Sequence, residues 1–202
     1  MTYAVTAGYD VKGRFASYWH QKEEIIRLEP KSLLECGIGN NFMYRYLGGL
    51  GIYHVTLDIS LEFNPQVNGS VRSLPFQDNS FDVCVSFQTL EHLPYKNFNE
   101  SLAELRRVSR QYVIISLPNR GLYFSLGLVA YPYRDTIRGM SVALFKKEHV
   151  FDGNHYWELG KKNFPVKKII ADIKREGLNI LNHYRVPEKP FHHFFILEKN
   201  NN

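Results

Sequence analysis

Two spacings of apolar residues alternate along the chain, and they predict strands and helices in turn. Short β-branched or apolar runs predict strands at residues 32–36, 53–59, 81–87, 111–117, 179–186 and 192–198, with a weaker one at 67–71. Apolar residues at helical spacing predict helices at residues 13–28, 42–50, 95–109 and 165–176. The stretch 119–162 breaks this rhythm, because it is aromatic and interrupted by glycines.

Strands that alternate with helices favour parallel pairing through crossover connections. The last two strands are separated only by residues 187–190, which is too short for a crossover helix, so they must pair as an antiparallel hairpin. The pattern therefore predicts an α/β fold with a seven-stranded, doubly wound sheet that is mostly parallel and has an antiparallel last strand.

The length of 202 residues favours a single domain. We divide it into an N-terminal arm and helix (1–30), a core (31–118), an insertion or lid (119–162), and a last helix with the closing β-hairpin (163–202). The apolar content of 44% is enough for a full core.

Charge and cysteine content narrow the function classes. The net charge is only +5, and lysines occur in pairs rather than in a dense basic stripe, so a nucleic-acid partner is not expected. Two cysteines, Cys36 and Cys84, fall in predicted buried strands, which indicates reduced thiols.

No stretch stays apolar for about 18 residues, and the N-terminus lacks a signal-peptide pattern, so we expect a cytoplasmic protein without a membrane span. Nothing in the sequence indicates an oligomeric state.

The first core strand leads into a glycine turn that reads E-C-G-I-G-N-N, from Glu35 to Asn41. Gly37 and Gly39 allow backbone to approach a ligand closely, and the helix that follows offers unpaired N–H groups. The second strand carries Asp58, about 20 residues after the turn, where a carboxylate can accept hydrogen bonds from ribose hydroxyls. The turn and the acid together predict a nucleotide-type site at the carboxyl ends of the strands.

A third motif specifies the nucleotide. The fourth strand is preceded by L-P-F-Q-D-N-S-F-D and followed by Q-T-L-E-H-L. With the glycine turn and Asp58, this segment resembles the class I S-adenosylmethionine-dependent methyltransferases, in the small-molecule, methyltransferase-11-like branch. The resemblance implies S-adenosyl-L-methionine as the cofactor and methyl transfer as the activity, with a small-molecule or lipid/glycan precursor as acceptor.

The resemblance also implies which residues bind the cofactor. These are Glu35, Gly37, Gly39, Asp58, Ile59, Ser70, Val71 and Gln88. Glu35 would lie near the cationic methionine portion, Asp58 at the ribose, and Ser70 with the Val71 N–H at the adenine. Two positions depart from the family pattern: Asn41 stands where a small residue is common, and Ser70 where an acid is common.

The sequence gives fewer indications of the residues that would contact the methyl acceptor. His92 and His155 are the candidate bases, although a structural role for His92 remains the alternative. Tyr156 and Trp157, within the segment D-G-N-H-Y-W-E-L-G, are candidate substrate contacts, and the competing interpretation is a lid packed on the sheet edge. No metal site is expected, because no Cys/His cluster has zinc-ligand spacing.

Two other functions stay open. A nicotinamide-dependent oxidoreductase also needs a glycine turn and a strand-end acid, but its usual turn is G-x-G-x-x-G. A non-catalytic module that binds S-adenosylmethionine would also explain the departures at Asn41 and Ser70.

Overall fold

The computed structural model describes residues 11–128, 136–142 and 147–200. The N-terminal arm up to residue 10 and the lid aromatics Tyr131, Tyr133 and Phe145 lie outside the described residues. The helices are α1 (Lys12–Arg27), α2 (Phe42–Leu47), α3 (Phe98–Val108) and α4 (Val166–Arg175). The strands are β1 (Ser32–Cys36), β2 (Tyr53–Asp58), β3 (Val67–Asn68), β4 (Phe81–Phe87), β5 (Ser109–Pro118), β6 (Leu122–Leu128), β7 (Thr136–Val142), β8 (Leu178–Val186) and β9 (Lys189–Lys199).

Seven of these strands form one sheet in the order β3-β2-β1-β4-β5-β9-β8. The pairs β1–β2, β1–β4, β2–β3 and β4–β5 are parallel, whereas β9 runs antiparallel to both β5 and β8. The predicted fold class is therefore confirmed, including the antiparallel last strand. The strand order reverses at β1, which brings the carboxyl ends of β1, β2 and β4 together at a switch point where such sheets bind ligands.

Both faces of the sheet are covered, because successive side chains of a strand point to opposite sides. In β1, Leu33 packs in the cluster with Ile25 of α1 and Met43 of α2, while Leu34 packs in the cluster with Leu102 of α3 and Ile169 of α4. This arrangement explains why the central strands are buried throughout and read as continuous apolar runs.

Two predicted elements are shorter in the structure. The helix predicted at residues 42–50 ends at Leu47, because Gly48 leaves the helical region and Gly49 has φ +90. The strand predicted at residues 67–71 forms a ladder only over Val67–Asn68, and Ser70 instead makes an isolated bridge with Ser73.

The insertion contains a β-hairpin that the sequence pattern did not indicate. Strands β6 and β7 pair with each other in a separate two-stranded sheet. Leu122, Phe124 and Leu126 alternate along β6 and are exposed, so the hairpin presents an apolar face away from the core. Among the described helices, none is long and apolar enough to cross a membrane.

Candidate active site

A cavity of about 810 Å³ opens at the carboxyl ends of β1, β2 and β4. This volume lies in the range of small-molecule and cofactor sites. The residues proposed from the sequence that line it are Glu35, Gly37, Gly39, Asp58, Ile59, Ser70, Val71, Gln88, His92 and His155. The structure thus brings the nucleotide-type site and both candidate bases into one space.

The glycine turn has a left-handed backbone at both glycines, with φ +82 at Gly37 and +51 at Gly39. The Gly37 N–H donates to the Leu57 carbonyl at 2.9 Å, which holds the turn against β2. A Cβ at Gly37 would lie 2.2 Å from Oγ1 of Thr89, whereas a Cβ at Gly39 would meet no atom within 4 Å. Gly37 is therefore required by close packing as well as by its backbone conformation.

Asp58 ends β2 and is buried. Its Oδ2 accepts a hydrogen bond from the Ile38 N–H at 2.9 Å, and its Oδ1 accepts one from the Ser60 N–H at 2.9 Å. A carboxylate oxygen has two lone pairs, so each oxygen can still accept a bond from a ligand hydroxyl. The carboxylate is thus held in a fixed position at the wall of the cavity.

Glu35 lies in β1 and is almost fully buried. Its Oε2 lies 3.0 Å from Nε2 of His54, a buried ring on the neighbouring strand. Burial raises the pKa of Glu35, and the nearby charge of Asp58 adds to the rise, although His54 partly offsets both. A cationic group in the cavity would favour the ionised form of this carboxyl.

The two asparagines after the turn have different roles at the start of α2. Asn41 has φ 60 and makes no side-chain cap to α2. Instead, Oδ1 of Asn40 accepts a hydrogen bond from the Phe42 N–H at 3.2 Å. Asn41 fits the position because asparagine tolerates the left-handed region better than most residues do.

Loops form the far end of the half of the cavity that contains the glycine turn and Asp58. Val71 is buried, Ile59 is 74% exposed at the rim, and Oγ of Ser70 accepts the Arg72 N–H at 3.3 Å. Gln88 follows β4 with φ 51, and its side-chain amide donates to Oγ of Ser116 at 3.2 Å. Ser70 and Gln88 therefore offer polar atoms to the cavity from opposite sides of the sheet's switch point.

The other half of the cavity holds a histidine and glutamate cluster. The His92 and His155 rings lie 5.0 Å apart between centroids. Nδ1 of His155 is 2.9 Å from Oε1 of Glu158, and both Glu158 oxygens accept from the Arg120 Nε–H, at 3.1 and 3.2 Å. Burial alone lowers the pKa of His155, but the hydrogen bond and charge of Glu158 outweigh it, so the pKa is raised.

His92 is oriented differently from His155. Its Nδ1 lies 3.1 Å from the Asn154 carbonyl oxygen, so the ring is fixed by the insertion. Burial lowers the pKa of His92, and the charge of His155 lowers it further. His92 therefore favours the neutral form, in contrast to its neighbour.

Glu91 also belongs to this half of the cavity. Its side chain is fully buried, and among the described residues its carboxylate has no hydrogen-bond partner beyond its own backbone N–H. Burial raises the pKa of Glu91 to about 8. Its position directly after the strand that ends at the switch point is the one sequence signal for its role.

Trp157, expected to contact the substrate, lies in the core and does not line the cavity. Trp157 is completely buried, its Nε1–H donates to the Leu93 carbonyl at 3.1 Å, and its ring packs on Tyr95 and Phe98. Tyr156 is 45% exposed, packs against Phe151, and does not line the cavity. Neither side chain contacts the space in which an acceptor would bind.

Comparison with known families agrees with the geometry. Residues 34–115 match the model of a family described as methyltransferase domain. This stretch contains the glycine turn, Asp58 and the L-P-F-Q-D-N-S-F-D segment, which carried the resemblance. No curated protein sequence matches the chain.

Solved structures share the fold at low identity. One is a 1,6-didemethyltoxoflavin-N1-methyltransferase of Burkholderia thailandensis with 1,6-didemethyltoxoflavin and S-adenosylhomocysteine bound (13% identity, TM-score 0.58, 98% of this chain and 94% of that one). Another is an S-adenosylmethionine-dependent methyltransferase of Clostridium acetobutylicum (11%, 0.60, 96% and 94%). A third is the magnesium protoporphyrin IX methyltransferase of Synechocystis PCC 6803 with bound S-adenosylmethionine (12%, 0.57, 93% and 81%).

Proposed function

We propose that this chain, whose residues 34–115 match the model of a methyltransferase domain, uses S-adenosylmethionine as its cofactor and methylates a small-molecule or lipid/glycan precursor. The observation that carries the proposal is a single cavity that joins the glycine turn and Asp58 to the cluster of Glu91, His92 and His155. Methyl transfer needs cofactor and acceptor in one water-poor space, and this cavity supplies both halves.

Each cofactor contact has a physical basis in the site. Asp58 accepts the ribose hydroxyls with its remaining lone pairs, since its other bonds fix it to Ile38 and Ser60. Glu35 faces the cationic methionine portion from within the sheet. Ile59, Ser70 and Val71 enclose the adenine, and Gln88 lines the passage to the acceptor.

Methyl transfer from a sulfonium needs few catalytic groups from the protein. The methyl group moves from the sulfonium to an oxygen, nitrogen or carbon atom by in-line displacement, with S-adenosylhomocysteine as the leaving group. The main tasks are alignment and exclusion of water. When the acceptor bears a proton, a group must remove it or lower its pKa, and Glu91, His92 and His155 line the half of the cavity where the acceptor binds.

Two features support a small acceptor in a reducing compartment. Two structurally similar proteins are described as methyltransferases of small molecules, 1,6-didemethyltoxoflavin and magnesium protoporphyrin IX. Cys36 and Cys84 are both free and buried, which agrees with the expected cytoplasmic location.

The test is calorimetry followed by a turnover assay. We expect the purified protein to bind S-adenosylhomocysteine and to transfer labelled methyl groups from S-adenosylmethionine to fractions of a small-molecule extract. Binding of S-adenosylhomocysteine without methyl transfer to any fraction would favour a non-catalytic module that binds S-adenosylmethionine. Retention on an immobilised nicotinamide nucleotide, without binding of S-adenosylhomocysteine, would favour the oxidoreductase and overturn the proposal.

A further inference from the structure

Three potential metal ligands meet in the acceptor half of the cavity. Glu91 and His92 follow β4, and His155 comes from the insertion. One ligand atom from each of the three lies within 4.8 Å of the others. The grouping joins two segments that are far apart in sequence, so no ligand spacing along the chain could indicate it.

Glu91 supplies the strongest reason to look for a ligand. Its side chain has no exposure to solvent, and in the part of the chain that the structure describes its carboxylate has no partner beyond its own backbone N–H. A buried carboxylate is retained at a cost unless a donor or a cation satisfies it. Because Glu91 lines the cavity, a ligand bound there can reach it.

The histidines are held as metal-binding histidines usually are. Nδ1 of His155 contacts the Glu158 carboxylate at 2.9 Å, and Nδ1 of His92 contacts the Asn154 carbonyl at 3.1 Å. Such an outer contact fixes the ring of His155 and makes its second nitrogen a better ligand. His92 also hydrogen-bonds the backbone of Gln88, and a bond to a metal would compete with that contact.

We propose that Glu91, His92 and His155 bind one divalent transition-metal ion. Two imidazoles and one carboxylate favour Zn²⁺, Co²⁺, Mn²⁺ or Fe²⁺ over Mg²⁺ and Ca²⁺, which prefer oxygen ligands. Three protein ligands leave coordination positions open toward the cavity. If the methyl transfer proposed above is correct, an acceptor hydroxyl bound at an open position would lose its proton more readily.

A neighbouring group fits a metal less well. Asp152, His155 and Glu158 also bring their ligand atoms together. However, Oδ1 of Asp152 already accepts the N–H groups of Asn154 and His155, and Glu158 is paired with Arg120. Asp152 is also exposed, so the matched variant Asp152→Asn separates the two sites.

The experiment uses the whole chain after treatment with a chelator. Zn²⁺ is titrated by calorimetry and Co²⁺ by visible absorption, in the wild type and in Glu91→Gln, His155→Asn and Asp152→Asn. We expect one ion per chain, a loss of affinity of more than about 100-fold in Glu91→Gln and His155→Asn, and little change in Asp152→Asn. Glu158→Gln should weaken binding by about 10-fold to 100-fold, as an outer contact does.

Two results would overturn the proposal. One is a wild-type protein that binds neither ion, and the other is binding that Asp152→Asn abolishes while Glu91→Gln retains it. Calorimetry with S-adenosylhomocysteine on the same samples shows that each variant is folded. It also tests the cofactor site separately, so that failure of the metal site and failure of the proposed methyl transfer can be told apart.

Discussion

The Asp58 carboxylate accepts a hydrogen bond from the backbone N–H of Ile38 at 2.9 Å, which ties the end of β2 to the middle of the glycine turn. Ile38 lies between Gly37 and Gly39, so one side chain fixes the conformation of the loop that lines the proposed cofactor site. The residue assigned to the ribose therefore also organises the opposite wall of its site.

This relationship makes Asp58→Ala more damaging to cofactor binding than the loss of ribose contacts alone. We expect the affinity for S-adenosylhomocysteine, measured by calorimetry, to fall by more than about tenfold, since each bond to a charged acceptor contributes about 1.5–3 kcal/mol. The matched control is Glu29→Gln, an exposed acid that does not line the cavity, which should bind normally. An unchanged affinity in Asp58→Ala would contradict the assignment.

The two glycines of the turn should respond differently to alanine. Gly37→Ala places a Cβ within 2.8 Å of three Thr89 side-chain atoms, so we expect a loss of about 2 kcal/mol or more in the free energy of unfolding. Gly39→Ala meets only the strain of its left-handed backbone, about 1 kcal/mol. Urea unfolding of both variants measures the difference, and equal losses would show that Thr89 does not constrain the turn.

The neighbouring residues Trp157 and Tyr156 should contribute very different amounts to the free energy of unfolding. Trp157→Ala should lower the free energy of unfolding by about 3–5 kcal/mol, because it leaves a large cavity among Tyr95 and Phe98. Tyr156→Ala removes a half-exposed ring and should cost less than about 1 kcal/mol. If Trp157→Ala instead kept full stability and altered acceptor choice, the original substrate role would be restored.

Acid stability depends on His192, whose pKa burial lowers from 6.5 to about 3, with Arg14 and Lys189 adding to the shift. Below its ordinary pKa the unfolded chain takes up a proton that the folded chain excludes. The contribution of neutral His192 to the free energy of unfolding is therefore fully present above pH 6.5 and is lost as the pH falls toward 3. In His192→Gln, the drop in unfolding free energy between neutral pH and about pH 5 should shrink by about 2 kcal/mol.

The control for this pH effect is Ser17→Ala. Nδ1 of His192 lies 2.6 Å from Oγ of Ser17, so this variant removes the partner but keeps the titrating ring. Its stability should be lower at every pH, with a slope close to that of the wild type. A slope that flattens equally in both variants would assign the pH dependence to the hydrogen bond rather than to the histidine's charge.

Local patterns predicted most of the sheet but only half of the site. Strands Ser32–Cys36 and Phe81–Phe87 were predicted to the residue, because buried central strands are continuous apolar runs. The glycine turn and Asp58 were identified for a similar reason: each lies at the end of a recognisable strand. The β6–β7 hairpin was missed because Gly121 precedes its first strand and Gly127 and Gly139 interrupt its two strands, a pattern that resembles a loop.

His92 and His155 were candidates from the sequence, but their grouping with Glu91 could not be predicted, because the three residues meet only through the tertiary fold. Glu91 and His155 are brought together by the return of the insertion to the sheet, which no local spacing encodes. Trp157 shows the reverse case: an aromatic residue in a polar segment suggested a pocket, but the ring turns inward and fills the core. Burial of a single side chain within an irregular segment depends on contacts made far along the chain.

The insertion begins and ends at one point of the sheet. The Leu159 N–H donates to the Pro118 carbonyl at 2.8 Å, and the Arg120 N–H donates to the Leu159 carbonyl at 2.9 Å. These two backbone hydrogen bonds hold the ends of the segment side by side at the end of β5. A segment closed at its base can be exchanged as a cassette while the seven strands and the cofactor turn stay unchanged. Transplanting residues 120–158 between proteins of this fold is therefore a direct test of whether this segment selects the acceptor in the proposed methyl transfer.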